Sequence, residues 1–522
     1  MDGTLIQEES SAAAGQSANG IFDTEYLKTD LKGRSIRSGA ATMSGQAAKF
    51  VIRVVSMVVL ARLLTPDEYG LVGMVVPLTE FVHMFRDMGL SAATIQRAQL
   101  SHAQVSTLFW INTGIGVVLA MITAALAPAL AWYYGEPEVI PITLVSAIGF
   151  VLGGLAIQHE SLLKRQMRFG AVAVIEVASV SVGLVTAIVS ALLGAGYWAL
   201  VLWNLAISLT ATIGVWTASG WRPGWPALRC GVRSMLDFGR DVIGFRIVSY
   251  FARQSDKILL GRFHGKFVLG LYGRAYNLLT WPLSQITWPM TTVAMPVLSR
   301  IQDDRRRYAS YYTRLVQLLS FVTMPMVVFL AVCSKSVISL MLGDQWTGTS
   351  RIFQILAAAA FIQPLSGTAG IVLLSLGRSG RLFKYGVFHS AAVVLGFAIG
   401  VRWGAVGVAA GYTVAEYAVL FPGLWYCFRG TPVTVGTVAR AVGRPVAASL
   451  GAVLAIMPVH HYLSGLPDIA IVGLCFVIAS AAYLVVWIAI PGGIQALRDF
   501  GGYVTLAFPK RGSGAENERR AL

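Results

Sequence analysis

The chain has 522 residues, of which 56% are hydrophobic and 13% are charged, and its formal net charge is +16 at pH 7. This composition excludes an ordinary soluble protein, in which about a quarter of the residues are charged. In a membrane protein an excess of lysine and arginine collects in cytoplasmic loops, so the basic balance does not require a nucleic-acid partner and we expect none.

The elements predicted along the chain are membrane-spanning helices. A helix needs about 20 apolar residues to cross the hydrocarbon core of a bilayer, and fourteen segments rich in Leu, Val, Ile and Ala satisfy this. The predicted spans are 38–62, 70–91, 106–131, 138–158, 171–192, 197–217, 238–259, 269–292, 311–333, 350–373, 384–401, 404–426, 440–459 and 468–490. They lack the alternating pattern of a membrane β-barrel, so we expect an all-α multi-pass membrane protein.

The distribution of cations predicts the orientation. Residues 1–37 are polar and lack the apolar core of a signal peptide. With this tail in the cytoplasm, most lysines and arginines outside the spans fall on the cytoplasmic side. The exceptions, on the opposite side, are Arg62, Arg262, Lys266, Lys335 and Arg402. Both termini are therefore predicted to be cytoplasmic.

Enzymatic and metal-site motifs are missing from the sequence. The cysteines, Cys230, Cys333, Cys427 and Cys475, are far apart and fit neither a zinc site nor a disulfide framework. No GxxxxGK[ST] motif for nucleotide phosphates is present. We expect no cofactor, no metal site and no catalytic residues.

An internal repeat divides the spans. Landmarks recur in the same order in the two halves: Tyr69-Gly70 with Tyr272-Gly273, Pro77 with Pro282, Met167–Gly170 with Phe383–Gly386, and Gly194-Ala195 with Gly404-Ala405. Because each unit holds an even number of spans, the two lobes should be related by a pseudo-two-fold axis along the membrane normal. The predicted segments are a cytoplasmic tail (1–37), a six-helix lobe (38–217), a cytoplasmic linker (218–237), a second six-helix lobe (238–427), two additional helices (428–491) and a cytoplasmic tail (492–522).

Cations occur within two predicted spans. Lys49 and Arg53 are four residues apart and share one helix face, and Arg246 and Arg253 share a face of the seventh span. A cation facing lipid at mid-bilayer costs at least about 2.5 to 3.5 kcal/mol, so these faces should turn inward. We predict that Lys49, Arg53, Arg246 and Arg253 bind an anionic substrate in a cavity between the lobes.

Two simpler interpretations stay open for single members of this set. Arg253 could pair with Asp256, one turn further along the helix, and the stem of Lys49 could extend toward the headgroups. Buried carboxylates can also balance cations or carry a coupling ion, and Glu80 and Asp256 are the predicted residues for that role.

Two motifs resemble one family of transporters. The stretches ARLLTPDEYGLVGM (Ala61–Met74) and DMGLSAATIQR (Asp87–Arg97) are similar to Wzx-type polysaccharide exporters of the MOP superfamily, in the WzxC/AmsL-like branch. The resemblance covers about residues 36–490, and LLGRFHGKFVLGLYGRAYNL (Leu259–Leu278) is the best match in the second half.

The resemblance implies a flippase of the bacterial inner membrane. Its substrate would be an undecaprenyl-pyrophosphate-linked oligosaccharide used for exopolysaccharide or lipopolysaccharide biosynthesis, moved by alternating access, and its partners membrane lipid and a polymerase with chain-length proteins. Related flippases line their cavity with arginines, and the four cations named above are the matching positions by helix and depth. Two alternatives remain: a major-facilitator transporter, whose GxxxDRxGRR-like loop motif is absent, and a membrane polymerase or ligase, for which the outer loops are short.

Overall fold

The computed structural model describes residues 31–87, 89–97, 100–227, 243–462 and 465–498. Its regular structure consists of sixteen α-helices and two short 3-10 turns, and no described residue lies in a strand. The prediction of an all-α protein is therefore confirmed. Half of the predicted linker 218–237 and most of both predicted tails lie outside the described residues.

The helices divide into two compact units. The first contains residues Met1–Gly273 with Met341–Gln345, and the second contains Arg274–Leu340 with Trp346–Leu522. The first unit therefore includes the beginning of the predicted second lobe. The division into two six-helix lobes stays a prediction.

The first unit is built from long apolar helices. They are α1 (Leu31–Leu63), α2 (Pro66–His83), α3 (Leu90–Gln96), α4 (His102–Tyr134), α5 (Val139–Arg165), α6 (Phe169–Leu192), α7 (Trp198–Ser219) and α8 (Ile243–Arg300) up to Gly273. Thr65 and Ser101 begin α2 and α4 with capping boxes, in which a Glu or Gln three residues on accepts a bond from the cap backbone. Gly135 ends α4 in the left-handed conformation.

Helix α8 is interrupted at Gly265, where φ is +75° and ψ is −175°, and this residue divides it into a first arm (243–264) and a second arm (266–300). This conformation is readily available only to glycine, so the chain changes direction here. Beside the interruption the Lys266 Nζ lies 2.9 Å from Glu136 Oε2. The hydrogen bond to Glu136 raises the pKa of Lys266 above its ordinary value, so Lys266 keeps its charge near neutral pH.

The second unit contains the rest of the helices. They are α8 from Arg274 onward, α9 (Arg305–Val332), α10 (Ser334–Leu342) up to Leu340, α11 (Thr349–Phe361), α12 (Gln363–Ser375), α13 (Ser379–Gly400), α14 (Gly404–Phe428), α15 (Val435–Tyr462) and α16 (Asp468–Ala489). Asp304 caps α9 by accepting bonds from the backbone of Arg306 and Arg307. A buried core formed mainly by α9, α12 and α14 surrounds Tyr308 and Tyr312.

The predicted number of fourteen membrane spans is not confirmed. Among the described residues eight helices are long and apolar enough to cross a membrane, or nine if the bent pair α11 and α12 is one span. Ser379–Phe428, which holds two predicted spans, is one of the eight. The segments that do not qualify include α1, which carries Lys49 and Arg53, and the interrupted α8. The chain is nevertheless a multi-pass membrane protein by length and composition of its helices.

Candidate functional site

Lys49 is bound by a carboxylate of a neighbouring helix. Its Nζ lies 2.5 Å from Glu176 Oε2, and the two side chains are 13% and 43% exposed. Helices α1 and α6 approach closely here, because a Cβ at Gly45 would meet the Cβ of Ala173 at 2.9 Å. Lys49 therefore carries its charge within an ion pair that joins α1 to α6.

Arg53 and Arg253 differ from Lys49 in their surroundings. Both side chains are exposed, and within the residues that the structure describes neither makes an ion pair. Arg246 lies in α8, but its side chain is outside the described residues. The two described arginines are thus available to an anion.

Glu80 connects α2 to the first arm of α8. Gln254 donates from Nε2 to Glu80 Oε2 at 2.5 Å, and the Tyr250 hydroxyl donates to the Pro77 carbonyl at 2.5 Å. These two bonds fix the face of α8 next to Arg253. Glu80 therefore contacts the side-chain amide of Gln254, a residue that the sequence analysis did not identify.

Asp256 is 2% exposed and lies in the first arm of α8. Its carboxylate accepts a bond from the Tyr272 hydroxyl at 2.9 Å and from the Lys257 backbone N–H at 2.7 Å. Tyr272 lies on the other side of the Gly265 interruption and is fully buried. Asp256 thus connects the two arms of α8.

Replacing Asp256 with alanine is expected to lower the thermal stability of the purified protein. The change removes the hydrogen bond that the buried Tyr272 hydroxyl donates to the carboxylate, which costs about 1 to 3 kcal/mol. Asp256→Asn keeps a carbonyl oxygen for Tyr272 and should lose less. Melting of the detergent-solubilised protein measures both, and equal stability of Asp256→Ala and the parent would contradict the structural role.

A cavity of about 310 Å³, lined by both polar and apolar side chains, lies within the first unit, between α2, α5 and α7. Helix α2 contributes Glu80, His83 and Arg86 from its last turns and the residues that follow it. Ser146 on α5 and Asn204 on α7 add neutral polar groups. His83 and Arg86 follow Glu80 at intervals of three residues, which is helical spacing. This spacing is visible in the sequence, but it did not identify the two residues as part of a site.

A second cavity, of about 210 Å³, lies within the second unit. Its lining repeats the spacing of the first: Val72, Val75 and Val76 correspond to Tyr276, Leu279 and Thr280; Ile142, Val145, Ser146 and Gly149 to Leu356, Ala359, Ala360 and Gln363; and Asn204 and Ser208 to Tyr412 and Glu416. Here His389 Nε2 lies 3.0 Å from Glu416 Oε1. The shared spacing supports the predicted duplication.

Comparison with known proteins gives a consistent result. A family model described as "Polysaccharide biosynthesis protein" matches residues 59–351. The lipopolysaccharide biosynthesis protein WzxC of Escherichia coli (strain K12) is 25% identical over 370 residues, 70% of this chain and 74% of that protein. The succinoglycan biosynthesis transport protein ExoT of Rhizobium meliloti (strain 1021) is 26% identical over 425 residues, 80% of this chain and 85% of that protein.

One solved structure shares the fold. The lipid II flippase MurJ, in an inward closed conformation, superposes with a TM-score of 0.64 and 13% sequence identity. The match covers 86% of this chain and 98% of MurJ.

Proposed function

The chain belongs to the polysaccharide biosynthesis protein family whose model matches residues 59–351, and on this premise we propose that it is a flippase for lipid-linked oligosaccharides. The substrate is an undecaprenyl-pyrophosphate-linked repeat unit, which moves from the cytoplasmic to the outer leaflet of the bacterial inner membrane. The product serves exopolysaccharide or lipopolysaccharide biosynthesis. The protein is a transporter and not an enzyme, in line with the name of its relative ExoT and with its fold.

The observation that carries the proposal is the pair of exposed arginines, Arg53 and Arg253, on helices of a membrane protein. Neither has an ion pair among the described residues, although an unpaired cation facing lipid costs at least about 2.5 to 3.5 kcal/mol. An anionic substrate would repay this cost. A pyrophosphate offers several acceptor oxygens to the guanidinium groups.

The mechanism follows from the two parts of the substrate. The polyprenyl tail is soluble in lipid, whereas the charged pyrophosphate and the sugars are not. A site formed by Lys49, Arg53, Arg246 and Arg253, all within the first unit, would hold the headgroup while the protein opens alternately to each side. Glu80 and Asp256 would balance the cations after release, with energy drawn from an ion gradient or the membrane potential.

The proposal includes the surroundings of the protein. Both termini are placed in the cytoplasm, because the predicted tails and most cations outside the spans then lie on the same side. A polymerase and chain-length proteins would take up the flipped repeat units. The rival major-facilitator interpretation has neither its loop motif in the sequence nor the support of the family match.

Replacing Arg53 and Arg253 with alanine is expected to reduce transport by about tenfold or more, since each change removes charge-assisted hydrogen bonds to phosphate. The direct measurement is movement of a fluorescent undecaprenyl-pyrophosphate oligosaccharide across proteoliposomes. Surface polymer in a strain that depends on the protein gives a second readout.

Arg402→Ala is the matched control, because Arg402 is also exposed but lies in a 3-10 turn of the second unit. It should transport like the parent. Normal polymer from the double variant, at normal abundance in the membrane, would show that these arginines do not bind the cargo.

A further inference from the structure

We propose that the cavity within the first unit binds one hexose ring that carries a phosphate, with Arg86 on the phosphate and Glu80, Ser146 and Asn204 on the hydroxyls. This inference rests on the proposed function, since the ring joined to the pyrophosphate is the part of the cargo with this chemistry. It assigns a sugar subsite to residues outside the four cations of the predicted anion site.

Arg86 is available to a ligand because the acids near it are already engaged. Glu160 and Asp87 are the acidic groups that interact electrostatically with it. Glu160 Oε1 lies 2.5 Å from Lys164 Nζ, and Asp87 accepts bonds from the backbone N–H and the hydroxyl of Ser91, where it caps α3. Within the described part of the chain Arg86 itself has no ion pair.

The place of the guanidinium is fixed by a glycine. A Cβ at Gly153 would lie 2.7 Å from the Arg86 terminal nitrogen and 3.0 Å from its Cδ. Only a residue without a side chain lets Arg86 lie against α5 in this position. The half-buried guanidinium is therefore held at the wall of the cavity.

The other polar groups suit hydroxyls. Glu80 accepts one bond from Gln254 and keeps further acceptor sites on its carboxylate. Asn204 donates from Nδ2 to the Leu200 carbonyl, and within the described residues its Oδ1 has no donor. Ser146 makes no hydrogen bond within the same residues, and the Phe150 ring beside His83 provides an apolar surface.

The repeated spacing indicates that the charges at Glu80 and Arg86 are particular to the first unit. Continuing the shared spacing along α8, the residues at the places of Glu80, His83 and Arg86 are Ser284, Thr287 and Met290. All three are neutral. The volume of about 310 Å³ is at the lower end of ligand pockets and suits one ring with a phosphate.

The test measures binding of glucose 1-phosphate to the purified full-length protein by saturation-transfer NMR, with glucose and inorganic phosphate as comparison ligands. Glucose 1-phosphate should bind more tightly than either. Arg86→Gln should weaken its binding by about tenfold or more, because a charge-assisted hydrogen bond is lost.

A second variant fills the cavity and keeps every charge. Gly149 lines the cavity, and a Cβ there meets only the Ser208 hydroxyl, at 3.9 Å, so Gly149→Leu should fold and block the ring. Gly114→Leu is its control, because this exposed glycine of α4 has no atom within 4 Å of its Cβ position. Only Gly149→Leu should lose the ligand.

The proposal is overturned if the parent protein does not bind glucose 1-phosphate, if phosphate alone binds equally well, or if neither Arg86→Gln nor Gly149→Leu weakens binding. The outcome is separable from that of the proposed function. Absence of transport by the parent protein in proteoliposomes together with Arg86-dependent binding would remove the flippase proposal and leave this site. Lost polymer from the Arg53 and Arg253 double variant, together with unchanged binding in both Arg86→Gln and Gly149→Leu, would support the flippase proposal and overturn this site.

Discussion

Replacing Gly411 with valine is expected to abolish accumulation of the folded protein in the membrane. Helices α13 and α14 cross through two glycines from each, and a Cβ at Gly411 would lie 2.1 Å from the Gly396 carbonyl oxygen. At the other contact a Cβ at Gly400 would lie 2.2 Å from the Gly407 oxygen. Small residues let membrane helices approach this closely, and backbone atoms cannot give way as a side chain can.

The expected loss is large because α13 and α14 would have to separate along their whole contact. Overpacking of a core typically costs about 1 to 3 kcal/mol even when side chains can adjust, and here backbone must move, so the cost should exceed that range. Fluorescence-detected size-exclusion chromatography of a tagged protein measures the folded fraction in membranes. A single sharp peak at the level of the parent would contradict the prediction.

The matched control for Gly411→Val is Gly473→Val in α16. Gly473 is exposed on a long apolar helix, and no atom lies within 4 Å of its Cβ position. The same side chain is added to the same type of secondary structure, but without a backbone in its path. This variant should accumulate like the parent.

Replacing Lys49 with alanine is expected to destabilise the first unit and also to reduce transport. The change leaves Glu176 within an apolar helix without its cation. Removing one member of a buried ion pair costs about 3 to 5 kcal/mol, and since Glu176 is 43% exposed we expect about 1 to 3 kcal/mol. Thermal melting of the purified protein measures the loss.

The double variant Lys49→Ala with Glu176→Ala separates the two roles of Lys49. Removing both charges removes the unpaired carboxylate, so the melting temperature should return toward that of the parent. If Lys49 also binds the pyrophosphate, transport in proteoliposomes should stay low after stability has recovered. Full recovery of transport would assign Lys49 to the ion pair alone.

Exchanging the two charges, Lys49→Glu with Glu176→Lys, gives an independent check. The exchanged pair can form again between α1 and α6, so the protein should be more stable than either single variant. It would place a carboxylate where the predicted anion site needs a cation. Transport at the level of the parent would therefore remove Lys49 from that site.

The sequence by itself determined the class of this protein and much of its local structure. Apolar runs of helical length predicted a multi-pass all-α membrane protein. The capping box that begins α2 joins Thr65 to Glu68, which is only three residues further along the chain. The cations at 49, 53, 246 and 253 were found because a charge in an apolar run is visible without any structure. Two quoted motifs predicted the family that the comparison then established.

Only the tertiary structure decided which of those charges has a partner. Glu176 is far from Lys49 in the chain, as Gln254 is from Glu80, and no local pattern connects them. In the sequence, the glycines at the crossing of α13 and α14 cannot be distinguished from exposed glycines such as Gly473. The difference lies in the backbone of the neighbouring helix. The physical reason is that helical periodicity depends on residues within a few positions, whereas the choice of which faces meet depends on packing among distant helices.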